Sequence, residues 1–357
     1  MRAVKPFLRV LAVNLGLLLA VAAVAELVFG NWFRDNYGTL VIPRDVDRRF
    51  DVKALYGGTS VRFSRDIYGL RGEYADPSRI DILAIGGSTT NEIFIDDAET
   101  WTATLGKALS ETGKPVTVVN AGVDGQSTLG HLKNFELWFP RVPGLKARYV
   151  LAYVGINDMA LALSGRPNKQ DHLEAQRRPF KQMLINNSAV YGLYRTVKGI
   201  LKARAANLIH TEKGYNGTRW TEPETQPDLA GAEARLKEHL DAYAGRLREL
   251  VRRIRAMGAE AIVVDQAMAS YRLRDGKVLG APRPDGTVDL GGYEDLAAFN
   301  GLAMRTCREV GAVCVDLAGE LFFEDGDHYD RLHTTPAGSA KVGRYLADRL
   351  RPLFPGM

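Results

Sequence analysis

From Asp81 onward the chain alternates short apolar runs with amphipathic stretches at helical spacing, and few folds accommodate that alternation. A strand that must reach the next strand through a helix pairs with it in parallel, and helices then cover both faces of the sheet. The strands are expected at Asp81–Ile85, Val116–Val119, Tyr149–Val154, Ala261–Asp265 and Ala312–Asp316. The intervening helices are expected at Glu99–Ser110, Gly130–Phe139 and Ala232–Met257, with a closing helix at Pro336–Leu350 that has proline in its first turn. Within the long charged helix, Leu240, Tyr243, Leu247, Leu250 and Ile254 form one apolar stripe. The reading is an α/β fold of three layers, α/β/α, around a five-stranded parallel sheet.

Four short blocks fall just after these strands. They are Gly86-Gly87-Ser88-Thr89, Asn120-Ala121-Gly122-Val123-Asp124-Gly125, Gly155-Ile156-Asn157-Asp158, and Asp330-Arg331-Leu332-His333 followed by Thr334-Thr335-Pro336-Ala337-Gly338. The last block sets an acid and an imidazole three residues apart, just before a helix. A serine hydroxyl is a poor nucleophile unless a base removes its proton, and the base needs a carboxylate to orient it. In this order and at these intervals the blocks resemble the SGNH (GDSL-type) hydrolase family, over about Asp81 to Leu350.

The resemblance implies a flavodoxin-like strand order 2-1-3-4-5, with the ligand crevice beyond the C-terminal ends of strands one and three. It also implies that Ser88 is the nucleophile, His333 the base and Asp330 its orienting acid. The oxyanion donors would be the backbone N–H groups of Ser88 and Gly125 and the side-chain amide of Asn157. Such donors are each worth ~3–4 kcal/mol in the transition state. Gly122 competes with Gly125 for that role, and the family pattern favours the later glycine. Asp325-Gly326-Asp327-His328 is a second Asp-x-x-His, but it lacks the Thr-x-x-x-Gly helix entry that follows His333. His131, His172, His210 and His239 lie outside every block and read as surface or packing residues.

One departure is visible: the family's Gly-Asp-Ser is here Gly86-Gly87-Ser88, without the aspartate. That acid is not the catalytic one, and Gly-Gly-Ser variants resemble a bacterial branch with N-terminal anchors. The Gly-x-Ser-x-Gly elbow of α/β-hydrolases is missing, which argues against that fold as the source of the triad. No Gly-Lys-Ser/Thr follows the glycines, which argues against a phosphate loop.

The N-terminus carries a separate signal. Arg2, Lys5 and Arg9 precede an apolar run from Val10 to Phe29, broken only by Asn14, Gly16 and Glu26. The run is close to the ~20 residues that span a bilayer, and the preceding positive charge orients the remainder outward. Ala23-Val24-Ala25 also reads as a small-residue cleavage site, giving a secreted protein instead. A retained single-pass anchor is the preferred reading, with Trp32 and Phe33 at the interface and the rest of the chain in the periplasm or outside the cell. The chain then divides into an anchor (1–33), a polar juxtamembrane extension (34–80) and the hydrolase domain (81–357). An insertion at about 159–229 holds a helix candidate at Ser188–Ala205.

With 47 basic against 42 acidic residues, the charge is too scattered for a nucleic-acid face, even counting a modest basic cluster from Arg177 to Arg204. No His/Cys cluster has metal-ligand spacing, and neither metal nor organic cofactor is expected. Cys307 and Cys314 read as two small buried residues, with a disulfide as the alternative in an oxidising compartment. The expected activity is hydrolysis of acyl esters, O-acetyl groups on an envelope or extracellular carbohydrate above all. Alternatives are acetyl transfer to a polysaccharide at the same site, lipid or thioester hydrolysis, and a silent scaffold in polysaccharide assembly.

Overall fold

The computed structural model describes residues 4–34, 37–111, 113–205 and 215–355. By contacts the chain forms two compact units, one of Met1–Val41 with Glu174–Ile209, the other of Ile42–Leu173 with His210–Met357.

The first unit is helical. The apolar segment forms one helix, Val4–Phe29, and Leu8–Phe29 is 22 residues long with a mean hydropathy of 2.3, enough by length and composition to cross a membrane. Two further helices, Pro179–Asn187 and Ala189–Ala205, follow in sequence. Between them and the apolar helix, the Asn186 amide donates to the carbonyls of Gly38 (3.0 Å) and Leu40 (2.6 Å), which fixes the loop carrying buried Tyr37 and Leu40.

The second unit begins with an antiparallel hairpin, β1 (Val46–Asp51) and β2 (Ser60–Arg65), in the stretch that reads from sequence as a polar extension. The central sheet follows: β3 (Ile80–Gly86), β4 (Val118–Asn120), β5 (Ala147–Tyr153), β6 (Glu260–Val264) and, after a small antiparallel sheet of β7 (Tyr271–Arg274), β8 (Lys277–Pro282) and β9 (Val288–Asp289), the edge strand β10 (Val313–Val315). The order across the sheet is β4-β3-β5-β6-β10, every pair parallel. Counting only these five strands in sequence, that is the order 2-1-3-4-5.

Alternate residues of each strand face opposite layers. Ile82, Ala84, Leu151, Tyr153, Ile262 and Val264 form one core with Trp101, Leu105 and Leu109 of helix Trp101–Ser110 and Val342, Leu346 and Leu350 of helix Pro336–Leu350. On the other face, helix Lys237–Ala256 buries Leu240, Tyr243, Leu247, Leu250 and Ile254, the stripe read from sequence, beside helix Tyr293–Glu309.

Three local expectations are corrected. The helix expected at Gly130–Phe139 is α-helical only over Thr128–Lys133 and continues as a π-turn to Trp138. Pro140 accounts for this, because it has no N–H to give and its ring crowds the carbonyl four residues back. The helix expected at Ala232–Met257 is two helices, Leu229–Arg235 and Lys237–Ala256, joined at Leu236. Cys307 and Cys314 are not two separate thiols but a disulfide, which ties the end of helix Tyr293–Glu309 to edge strand β10.

Candidate active site

The site is built where β3, β4 and β5 end. β3 runs into Gly86-Gly87, and Ser88 opens a one-turn helix, Ser88–Asn91. As the first helical residue, Ser88 has an N–H that no carbonyl of its own helix can accept. Gly87 is required by close approach: a Cβ there would lie 2.0 Å from the Asn157 amide nitrogen.

After β4 the chain turns back at Val123–Gln126, closed by the Gln126 N–H donating to the Val123 carbonyl at 3.1 Å. Gly125, third in that turn, has φ +71°, a conformation that favours glycine. The structure separates the two candidate glycines. Gly125 lines the cavity that holds Ser88. Gly122 is packed against the back of the nucleophile turn, where a Cβ would meet Asn91 N at 2.5 Å.

After β5, Gly155 at φ +135° begins helix Ile156–Ser164, with Asn157 in its first turn. The Asn157 side-chain amide donates to the Gln126 carbonyl at 3.0 Å. An amide nitrogen carries two hydrogens, so this bond fixes the group and leaves a second donor. Asn157 stands behind Gly87 and is not among the residues that line the cavity.

The fourth segment precedes helix Pro336–Leu350, capped by the Thr335 hydroxyl. His333 Nε2 lies 2.8 Å from Ser88 Oγ, and His333 Nδ1 lies 2.6 Å from Asp330 Oδ2. Asp330 Oδ1 accepts from the backbone N–H groups of Leu332 (2.7 Å) and His333 (2.6 Å). Burial raises the pKa of Asp330, but the hydrogen bonds and charge of His333 outweigh it, and the carboxyl sits below its ordinary value. Tyr329 stacks on the imidazole, with ring planes 12° apart. Ser88, Gly125, Asp330 and His333 thus meet at one cavity of about 590 Å³, whose other walls include Ala54, Leu55, Ile93, Phe94, Asp124, Asn216 and Tyr329.

The competing histidines are placed elsewhere. His328 is buried against Phe323, and burial pulls its pKa down to about 4. His131 is buried beside Gln126, and burial pulls it down to about 3. His210 lies outside the described residues.

Sequence reasoning missed the groups that hold these segments together. Glu92 is 5% exposed. Its carboxylate accepts from the Trp101 N–H (2.9 Å) and the Thr334 hydroxyl (3.0 Å), while its own N–H donates to the Ser88 carbonyl (2.8 Å). It therefore links the nucleophile turn to the residue after His333, and burial raises its pKa to about 7. Two buried arginines from the supposed juxtamembrane extension brace the same turn. Arg65 donates to Asn91 Oδ1 (2.6 Å) and to the Gly122 carbonyl, and Asn91 passes the contact on to Asp124 (2.7 Å). Arg71 donates to the carbonyls of Asn91, Glu92 and Ile95 and pairs with Asp97 at 2.7 Å. Asp66–Gly72, a turn beside the site rim by its sequence, was the one signal available for them.

Residues 84–341 match the model of the GDSL-like lipase/acylhydrolase family, and the chain belongs to that family. Membership makes it an ester hydrolase. No curated protein matches the sequence. Among solved structures, the chain is similar to TesA (16% identity, TM-score 0.42, covering 76% of this chain and 99% of that one). It is also similar to the psychrotrophic esterase EstA from Pseudoalteromonas sp. (13%, 0.41, covering 77% and 99%). A third is a GDSL-like lipase from Bacteroides thetaiotaomicron VPI-5482 (11%, 0.38, covering 77% and 88%).

Proposed function

We propose that the protein is a serine esterase with Ser88 as nucleophile, His333 as general base and Asp330 as orienting acid. It acts on acyl esters, O-acetyl groups of envelope or extracellular carbohydrate foremost. The observation that carries this reading is the unbroken series Ser88 Oγ–His333 Nε2 and His333 Nδ1–Asp330 Oδ2, with both distances at hydrogen-bond length.

In this mechanism Ser88 Oγ attacks the ester carbonyl while His333 Nε2 takes its proton. The carbonyl electron pair moves to oxygen, where the N–H groups of Ser88 and Gly125 and the Asn157 amide receive it. Collapse breaks the bond to the alcohol, which leaves with the proton from His333, and an acyl-Ser88 ester remains. Water, deprotonated by the same imidazole, attacks that ester and releases the acid and Ser88. Asp330 stays ionised throughout, holding the Nδ1 proton and stabilising the imidazolium.

Export is part of the proposal. The N-terminal helix acts as a retained anchor, with the hydrolase in the periplasm or outside the cell, and the Cys307–Cys314 disulfide suits an oxidising compartment. A second reading, cleavage of longer acyl chains, draws support from the apolar wall of Ala54, Leu55, Ile93 and Phe94 in a cavity larger than an acetyl group needs. Hydrolysis of p-nitrophenyl esters from acetate to dodecanoate by the full chain and by Ser88→Ala tests both. A rate that falls steeply after acetate supports the first reading, a maximum at C6 or longer supports the second, and equal rates for both proteins overturn the esterase assignment.

A further inference from the structure

The helix Ala189–Ala205 is held at its N-terminus by an acid of the apolar N-terminal segment. Between Val10 and Phe29 the single charged residue is Glu26. A carboxylate at that depth is costly unless its oxygens are satisfied. Here they accept from the Ser188 hydroxyl, from the N–H groups of Ala189 (3.1 Å) and Val190 (3.2 Å), and from the Trp32 indole (2.6 Å). The Asn31 N–H also donates to the Asn187 carbonyl at 2.8 Å. Glu26 therefore caps the N-terminus of the second helix and pins it within one turn of the end of the apolar helix, beside a tryptophan suited to a membrane–water boundary.

What that helix presents is the second observation. Val190, Leu193, Tyr194 and Val197, at i, i+3, i+4 and i+7, form one stripe, and they are 41%, 66%, 53% and 49% exposed. Tyr191 and Gly192 are the partly covered residues of the same stretch. Among the described residues Val190, Leu193 and Val197 stay exposed rather than joining a core, and an exposed apolar stripe of this kind marks an interaction surface. Arg195 and Lys198 make the helix too polar to cross a membrane, and Lys198 reaches over the Tyr194 ring to its hydroxyl at 3.0 Å. From 175 to 198 the segment carries Arg177, Arg178, Lys181, Arg195 and Lys198 and no acid.

We propose that helix Ala189–Ala205 lies in the plane of an anionic lipid surface, with Val190, Leu193, Tyr194 and Val197 in the boundary between headgroups and acyl chains. This inference rests on the reading of Val4–Phe29 as a retained anchor. Glu26 then sets the depth at which the second helix leaves the anchor, the apolar stripe supplies buried area, and the cations meet the lipid charge.

The test uses the full chain in lipid nanodiscs of phosphatidylcholine with or without phosphatidylglycerol. An NBD fluorophore is placed at Leu193→Cys or, on the opposite side of the helix, at Arg195→Cys. Doxyl groups near the lipid headgroup are expected to quench the Leu193 label at least twofold more than the Arg195 label, and aqueous iodide the reverse, with a larger contrast when phosphatidylglycerol is present. A Val197→Cys label repeats the measurement if the Leu193 variant fails to fold. Equal quenching at both positions, in protein that stays in the bilayer through an alkaline wash, overturns the inference and leaves the anchor standing. Equal contrast with and without phosphatidylglycerol overturns the role given to lipid charge. Protein released by the wash overturns the anchor and the inference together.

Discussion

Replacing Glu92 with glutamine is expected to stabilise the protein above neutral pH and to flatten its stability profile. The carboxyl is buried, and its pKa is raised from 4.5 to about 7, chiefly by loss of water; the hydrogen bonds from Trp101 and Thr334 oppose the rise without cancelling it. Arg71, whose charge also opposes the rise, spends its hydrogen bond at 3.0 Å on the Glu92 carbonyl rather than on the carboxylate. An acid whose folded pKa lies above its unfolded value binds a proton in the native state after the unfolded chain has lost it. Stability is therefore full below the unfolded pKa and falls as pH rises toward 7. A rise of that size is worth on the order of 3 kcal/mol, most of it lost between pH 5 and pH 8. Glutamine suits the site because its oxygen can accept from Trp101 while its amide donates to the Thr334 hydroxyl, as the neutral acid would. Urea unfolding of both proteins at pH 5 and pH 8 isolates the effect, since Asp265, another buried acid with a raised pKa, contributes equally to each. The stability of Glu92→Gln relative to the parent should improve by roughly 2–3 kcal/mol from pH 5 to pH 8. A difference that does not change with pH would refute the reasoning.

Four further outcomes are expected. Asp330→Asn keeps the size of the side chain but not the tautomer preference it imposes on His333, and kcat should fall about 10⁴-fold in steady-state assays while the fold, read by circular dichroism, is unchanged. Gly87→Ala places a methyl group against the Asn157 amide, so kcat should fall by roughly 10²–10³, as for loss of one oxyanion donor, and Asn157→Ala should fall by a similar factor. Leu346→Ala, in the core between two helices and the sheet, should cost about 2–5 kcal/mol in urea unfolding. Thiol titration of denatured, unreduced protein should find no free cysteine, and reduction should release both Cys307 and Cys314.

The sheet was legible because strand and helix periods differ. Each of the five strands falls within two residues of its expected position, and the stripe on Lys237–Ala256 is the one that is buried. The four blocks were legible because glycine marks close approach or a positive φ: a Cβ on Gly87 would meet the Asn157 amide, and Gly125 has φ +71°. What escaped notice depends on long-range contact. Nothing local distinguishes Glu92 from a surface acid, since its partners Trp101 and Thr334 are 9 and 242 residues away. Arg65 and Arg71 read as members of a polar loop because their burial comes from a turn that the chain builds later. The β7–β8 hairpin was missed although its two-residue turn is Asp275-Gly276, both at positive φ, which is a strong local hairpin signal. For the disulfide, sequence spacing placed one cysteine at a helix end and the other in the next strand, but only the packing of that helix on the sheet edge brings the pair together, with Cα atoms 5.9 Å apart.

The most direct test of the catalytic assignment is covalent. The full chain would be treated with a fluorophosphonate that reacts only with an activated serine, and the adduct located by peptide mass spectrometry. The account predicts one phosphonyl group per chain, on Ser88, absent from Ser88→Ala and slowed at least 10³-fold in His333→Ala, as expected for loss of the general base. Folded protein that takes up no label, or that carries it on another residue, would contradict it.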